Sequence, residues 1–121
     1  MLDHIGVEVR VYAASKAFYA RVLAVLGYAI VEETHGRCGF GPPGKPQFWI
    51  HEGQPATAPI HIGFTAGHRA DVDRFHAAAL AAGGRDNGLP GVREIYHPNY
   101  YGAFILDPDG NNVEAVCHLA E

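Results

Sequence analysis

The chain begins and ends with segments in which apolar and polar residues alternate, as they do in half-buried β-strands. In the first segment, residues 2–9, one face is mainly apolar and the other carries His4. In the last segment, residues 112–118, an apolar face leaves Glu114 pointing the opposite way, because side chains alternate along a strand. The pattern therefore predicts that His4 and Glu114 project away from the faces that pack on helices.

Apolar residues at helical spacing follow the first strand. They indicate a helix with Ser15 as a plausible N-cap and Gly27 as the glycine that ends it. Turn-forming residues then separate three further short apolar segments. These predict strands at Tyr28–Glu32, Arg37–Gly41 and Gln47–His51, and the order of the first half is β-α-β-β-β.

The second half of the chain repeats the first. The tripeptide His4-Ile5-Gly6 recurs as His61-Ile62-Gly63, and the same offset maps Phe18 to Phe75, Leu23 to Leu80 and Gly27 to Gly84. The repeat predicts a second β-α-β-β-β unit with a segment at Asp86–Leu89, a strand at about Tyr101–Leu106 and the strand that carries Glu114. Because the linker between the units is short, we expect an α+β fold and one domain, residues 1–121, built from units at about 1–53 and 58–121.

Each unit alone is too small to cover a sheet, so the two should pair their sheets and leave a concave cleft. Strand parity directs His4, His61 and Glu114 into that cleft. Two imidazoles and one carboxylate are a ligand set suited to divalent iron, manganese, zinc or nickel, with coordination positions left open. The alternative for Glu114 is a solvated strand carboxylate, since acidic residues are mostly exposed.

Composition narrows the classes of function. The 121 residues are 48% hydrophobic and 18% charged, which is typical of a globular protein. The net charge of −4 gives no basic surface for nucleic acid, and no apolar segment is long enough to span a bilayer. The N-terminus lacks the features of an export signal, and two distant cysteines indicate neither a disulfide framework nor a zinc knuckle. We expect a cytoplasmic protein without nucleic-acid or membrane partners.

A strong turn sequence, Asp107-Pro108-Asp109-Gly110, joins the last two strands. With this turn, the two His-Ile-Gly tripeptides and Phe18-Tyr19, the chain resembles the vicinal oxygen chelate superfamily. That superfamily includes glyoxalase I, extradiol dioxygenases and bleomycin resistance proteins. The resemblance implies paired β-α-β-β-β units and metal ligands on the first strand of each unit and on a last strand. His4, His61 and Glu114 occupy those positions. The superfamily spans lyases, isomerases, oxygenases and binding proteins, so the resemblance does not fix an activity.

The fourth ligand of glyoxalase I-like proteins has no clear counterpart. The repeat places Trp49 where those proteins carry a carboxylate, so that Trp49 would form a wall of the cleft. His51 shares the parity of Trp49 and could act as a ligand or a proton carrier, although a histidine at a strand end is more often on the surface.

Part of the extradiol dioxygenase signature is present near the end of the chain, with one departure: Phe104 stands where those enzymes carry a tyrosine that acts as an acid. Tyr100, Tyr101 or His97 could replace it, or the two tyrosines could form a packed aromatic pair. Arg93 lies in a loop that could close over an oxygen-rich ligand.

Two functions therefore stay open. The protein is either a metal-dependent enzyme, of the lyase, isomerase or dioxygenase type, that acts on a small oxygen-bearing molecule, or a non-catalytic binding protein that sequesters an aromatic or drug-like ligand. We also expect a homodimer, because two small sheets leave edges and apolar faces that a second copy can cover. The resemblance allows each cleft to lie within one chain or to be shared, with His4 of one subunit meeting His61 and Glu114 of the other.

Overall fold

Two four-stranded sheets and two helices make up the computed structural model, which describes all 121 residues. The elements follow the order β-α-β-β-β twice, as the sequence repeat predicts. They are β1 (Ile5–Val9), α1 (Tyr12–Ala24), β2 (Ala29–Thr34), β3 (Arg37–Gly41), β4 (Phe48–Glu52), β5 (His61–Thr65), α2 (Arg69–Ala81), β6 (Arg85–Val92), β7 (Tyr101–Leu106) and β8 (Asn112–Cys117). The predicted α+β fold class is confirmed.

Each sheet places the last strand of its unit in the interior. The strand orders are β1-β4-β3-β2 and β5-β8-β7-β6, in which β1 pairs with β4 and β5 pairs with β8 in parallel. The remaining pairs are antiparallel. Strand β8 therefore has neighbours on both sides, and its side chains have less access to solvent than those of an edge strand.

The helices cover one face of each sheet and contact one another. The core between them is almost entirely apolar, with Tyr19, Phe18, Phe40, Phe75 and Leu23 as its largest fully or almost fully buried side chains. Because the helices cover only one side, the opposite face of each sheet stays open. Both helices have 13 residues, and neither is long and apolar enough to cross a membrane.

Helix α1 begins three residues before the predicted N-cap. Val11 occupies the cap position without a side-chain hydrogen bond, and Ser15 is buried inside the helix. The prediction of Ser15 as N-cap is therefore wrong. Tyr12, in the first turn, is fixed by a hydrogen bond of 3.0 Å from its hydroxyl to Glu33 Oε2, which ties the helix start to β2. Tertiary contact thus extends the helix beyond the residue that capping preference alone would select.

The turn that delivers β8 is built on Asp107. Its carboxylate accepts hydrogen bonds from the backbone N–H groups of Asp109, at 2.9 Å, and Asn111, at 2.8 Å. Gly110 adopts φ +84°, the left-handed conformation that glycine tolerates best. The hydroxyl of Tyr19 donates a further bond of 2.5 Å to Asp107 from helix α1. One buried carboxylate therefore fixes the turn and anchors it to the first half of the chain.

Tyr19→Phe should lower the free energy of unfolding by about 1.5–3 kcal/mol, because it removes a buried hydrogen bond to a carboxylate while keeping the ring. Burial, followed by the charge of Asp107, raises the pKa of Tyr19 well above its ordinary value, so the hydroxyl stays protonated and donates. Urea denaturation at neutral pH measures the change. Tyr28→Phe, at a half-buried tyrosine without a hydrogen-bonded partner, is the control. Equal losses in both variants would contradict the proposed role of this bond.

Candidate functional site

Glu114 lies on the open face of the second sheet yet is only 5% exposed. On β8 it stands between Gly63 of β5 and Phe104 of β7. A β-carbon at Gly63 would come within 3.0 Å of Glu114 Oε1, so the glycine leaves room for the carboxylate to lie across the neighbouring strand. The parity prediction for Glu114 is correct, and its alternative as a solvated carboxylate is wrong.

The Glu114 carboxylate is incompletely paired. Its Oε2 atom is buried and accepts no hydrogen bond, and its Oε1 atom lies 3.7 Å from His61 Nε2. Tyr100 lies beside this carboxylate, and burial, followed by the interaction with Glu114, raises the pKa of the Tyr100 hydroxyl. A buried acceptor without a donor carries a cost in free energy that a protein usually avoids.

The contacts of His61 determine which ring nitrogen carries the hydrogen and which has a free lone pair. His61 Nδ1 lies 3.0 Å from the backbone carbonyl oxygen of Asn112, and a carbonyl can only accept, so Nδ1 carries the hydrogen. In the neutral ring, Nε2 then presents its lone pair on the side of Glu114. This is the tautomer that a metal-binding histidine adopts when a backbone carbonyl orients it. The ring also stacks on Phe104, with centroids 6.2 Å apart.

These groups open into a cavity of about 320 Å³. Its lining consists of His61, Tyr96, Tyr100, Phe104 and Glu114. The rings of Tyr96 and Tyr100 meet edge to face, with centroids 5.0 Å apart. Tyr96 was not among the predicted site residues, although its spacing to Tyr100 in the same loop was the signal available.

His4 does not join this cluster within the chain. Its ring lies at the start of the first sheet, where Nδ1 is 2.6 Å from Asp3 Oδ1, and its side chain is 60% exposed. A groove of about 470 Å³ is lined by both His4 and His61, but no three His, Cys, Asp or Glu side chains stand close enough to hold a metal ion. One chain therefore brings together two of the three predicted ligands, His61 and Glu114.

The open face of the first sheet has its own cavity, of about 640 Å³. It contains three of the predicted site residues, His4, Trp49 and His51. The other lining residues are Asp3, Gly6, Arg37, Gly44, Lys45 and Pro46. The predicted binding residues are thus divided between two sheet faces.

The remaining predicted residues lie around the second sheet. The Tyr101 hydroxyl donates to Asp73 Oδ1 of α2 at 2.7 Å, so its side chain faces the helix rather than the Glu114 cavity. His97 is exposed, and its ring meets that of His118 at 5.7 Å. Arg93 lies closer to the cavity, with its guanidinium 5.7 Å from the centre of the Phe104 ring.

The repeated β-α-β-β-β units, with open sheet faces carrying histidine and glutamate, define the class of fold to which glyoxalases and dioxygenases belong. The model of the Glyoxalase/Bleomycin resistance protein/Dioxygenase superfamily matches residues 1–115, and the chain belongs to this superfamily. A glyoxalase/bleomycin resistance protein from Albidiferax ferrireducens is 34% identical, with a TM-score of 0.84 over 95% of this chain and 97% of that one.

Two more distant structures share the fold. A glyoxalase/bleomycin resistance protein/dioxygenase family enzyme from Burkholderia phytofirmans is 21% identical, with a TM-score of 0.75 over 98% of both chains. Lactoylglutathione lyase from Agrobacterium tumefaciens is 21% identical, with a TM-score of 0.69 over 97% of this chain and 92% of that one. A search of curated proteins found no match.

Glu114→Gln should raise the free energy of unfolding of the metal-free protein by about 1–3 kcal/mol, because it removes a buried charge that lacks a hydrogen-bonded partner. Urea denaturation in the presence of a chelator measures the effect. Glu32→Gln, on the exposed part of β2, is the control and should change stability by less than about 0.5 kcal/mol. A loss of stability on Glu114→Gln would instead identify Glu114 as a structural partner of His61.

Proposed function

We propose that this protein holds a divalent metal ion through His61, Glu114 and the His4 of a second copy of the chain, and that a small oxygen-bearing organic molecule binds beside the ion. The observation that carries the proposal is the buried, unpartnered Oε2 of Glu114. A cation next to this atom would satisfy it, and His61 Nε2 lies 3.7 Å from the other oxygen of the same carboxylate.

A second copy of the chain is proposed because the two open faces carry complementary halves of a site. One face presents His4, and the other presents His61 and Glu114. Large apolar side chains are also exposed elsewhere on the chain, and a homodimer could cover some of them. They include Leu2, Leu89, Val92 and Ile95. Two-fold pairing would place the first sheet of one copy opposite the second sheet of the other, so that each dimer has two equivalent clefts.

In this cleft the metal ion would supply Lewis-acid activation of a substrate oxygen. The chain's own groups would orient the ligand. The Tyr100 hydroxyl is protonated at neutral pH, because burial and Glu114 raise a pKa that already lies above that range, so Tyr100 can donate a hydrogen bond to a ligand oxygen. Phe104 and Tyr96 would form an apolar wall that excludes water.

The second candidate function is a binding protein without catalysis. It is favoured by the cavity of the first sheet, where Trp49 lies beside Arg37, with the guanidinium 4.5 Å from the ring centre. A cavity of about 640 Å³ with an indole wall is large enough for an aromatic ligand. The two functions differ in whether ligand binding requires metal.

Titration with manganese, iron, zinc or nickel should raise the melting temperature of the wild type. A ligand that binds only the folded state contributes about 2.7 kcal/mol at a hundredfold excess over its dissociation constant. Glu114→Ala should abolish the response, whereas the control Glu32→Gln should keep it. If none of the four ions shifts the wild-type melting temperature, the metal site is wrong and the binding-protein function becomes the better proposal.

Mixing two inactive variants tests whether the site is shared. His4→Ala and Glu114→Ala should each lose metal binding, but in a mixed dimer one cleft carries both substitutions and the other carries neither. After denaturation and refolding together in equal amounts, about a quarter of the clefts should therefore bind metal again. Equilibrium dialysis measures the recovery. No recovery from a mixture that sedimentation shows to be dimeric would contradict the shared site.

The protein should be a poor extradiol dioxygenase even with iron bound, because Phe104 offers no hydroxyl where ring cleavage needs an acid. Loss of one positioned acid costs about 10² to 10⁴ in rate. Phe104→Tyr should increase the cleavage rate of simple catechols, measured by the absorbance of the ring-opened product. Tyr28→Phe, remote from the cavity, is the control for non-specific effects. Rapid cleavage by the wild type would show that Tyr100 or His97 already fills this role.

A further inference from the structure

We propose that the cavity on the first sheet is an oxyanion subsite built on Arg37, with Lys45 and His51 beside it, so that the ligand of this protein carries a carboxylate or phosphate-type group. It rests on the proposed function in one respect only, namely that the cavities of the first and second sheets belong to one shared cleft. The subsite itself follows from contacts within a single chain.

Arg37 is held against an aromatic ring and is available to bind an anion. Its guanidinium lies over the ring of Trp49, 4.5 Å from the centre, and it forms no ion pair with a carboxylate of the protein. A cation over an aromatic face keeps N–H donors available for other partners, and the Arg37 guanidinium has no carboxylate partner in the protein. Those donors match the two oxygens of a carboxylate or phosphate, which a guanidinium binds in bidentate fashion.

The ring that holds Arg37 is itself fixed in place. Trp49 pairs with Gly39 across β3 and β4, and a β-carbon at Gly39 would come within 2.8 Å of the indole. The same β-carbon would come within 2.7 Å of Pro46. The missing side chain therefore lets Trp49 and Pro46 close over the strand, and the indole presents a defined face to the guanidinium.

Charge in this cavity is opposite in sign to that of the whole chain. The protein has a net charge of −4, yet Arg37 and Lys45 both line the cavity together with His4 and His51. One carboxylate is present, Asp3, and it is already bonded to His4 at 2.6 Å. That hydrogen bond, then the charge of His4, lowers the pKa of Asp3. The concentration of cations in an acidic protein, with Arg37 unpaired, favours an anionic ligand.

His51 completes the floor of the subsite. Its Nε2 atom lies 3.7 Å from the position that a β-carbon of Gly6 would take, so the imidazole occupies the space above that glycine. Neither ring nitrogen of His51 is engaged by another protein group. An imidazole in this position can donate one further hydrogen bond to a bound oxyanion.

In the shared cleft, this subsite would face the His61 and Glu114 side of the other chain. The ligand would then have two ends of different chemistry: an oxygen that coordinates the metal, and an oxyanion that Arg37 binds. A simple neutral catechol or aldehyde lacks the second end and would leave Arg37 without a partner.

Trp49 provides the test, because it is the only tryptophan in the chain and it contacts Arg37. We would titrate the metal-free wild type, in chelator and at constant ionic strength, with benzoate, phenyl phosphate and inorganic phosphate, and with the neutral compounds benzamide and benzyl alcohol. The anions should change the tryptophan fluorescence to a saturating value. The neutral compounds should not. Equal affinity for benzamide and benzoate would overturn the proposal.

Variants assign the effect to the proposed residues. Arg37→Gln should weaken benzoate binding by about tenfold to a hundredfold, the range expected for lost hydrogen bonds to a charged group. Lys45→Met should weaken it less. Arg21→Gln, which removes an exposed arginine of helix α1, is the control and should bind benzoate as the wild type does. Unchanged binding by Arg37→Gln, with its fold verified by circular dichroism, would also overturn the proposal.

Two further measurements separate this proposal from the metal site. Arg37→Gln should keep the metal-induced rise in melting temperature, whereas Glu114→Ala should lose it. Anion binding in a protein that shows no metal response would support the subsite while removing the metal site. A metal response without anion binding would support the metal site and remove the subsite.

Discussion

The carboxylate of Glu114 sets the main constraint on this structure. Interior strands seldom bury a charged side chain, because removing an ion from water costs several kcal/mol unless other groups compensate. Here the side chain is 5% exposed and one oxygen has no donor. Gly63 provides the space, and the Asp107 turn fixes the register that brings Glu114 opposite that space. The fold therefore maintains an arrangement that is unfavourable without a ligand, and the proposed cation site would account for it.

The same turn shows how the two halves of the chain depend on each other. Asp107 orders the hairpin between β7 and β8 and also accepts the hydroxyl of Tyr19 from helix α1. A second link joins the backbone N–H of Arg10 to the Asp109 carboxylate at 3.3 Å. The first half of the chain holds the turn at two points. These contacts fix the register of β8 and therefore the position of Glu114 along the sheet.

The sequence repeat and strand parity were sufficient to predict the element order, the open face of Glu114 and the adjacency of His61. Strand parity also predicts the direction of the Tyr101 side chain. The Asp107 turn pairs Phe104 with Glu114, so even-numbered residues of β7 share the open face and Tyr101 must face α2. The start of α1 was not predictable from Ser15, because contact between Tyr12 and Glu33 decides it. Arg37 was missed because its role depends on a tertiary contact, the stacking on Trp49.

The two open faces have opposite electrostatic requirements. The face with Glu114 has a carboxylate oxygen in need of positive charge, and the face with Arg37 has a guanidinium in need of negative charge. The two groups belong to different sheets and form no ion pair with each other within one chain. A metal ion bound together with an anionic ligand between two facing sheets would satisfy both at once, whereas either component alone would leave one face unpaired. Complementarity of this kind selects partners more by charge than by contact area. On this basis the ligand's affinity should depend on both faces together, although its chemistry would be confined to the face that holds Glu114.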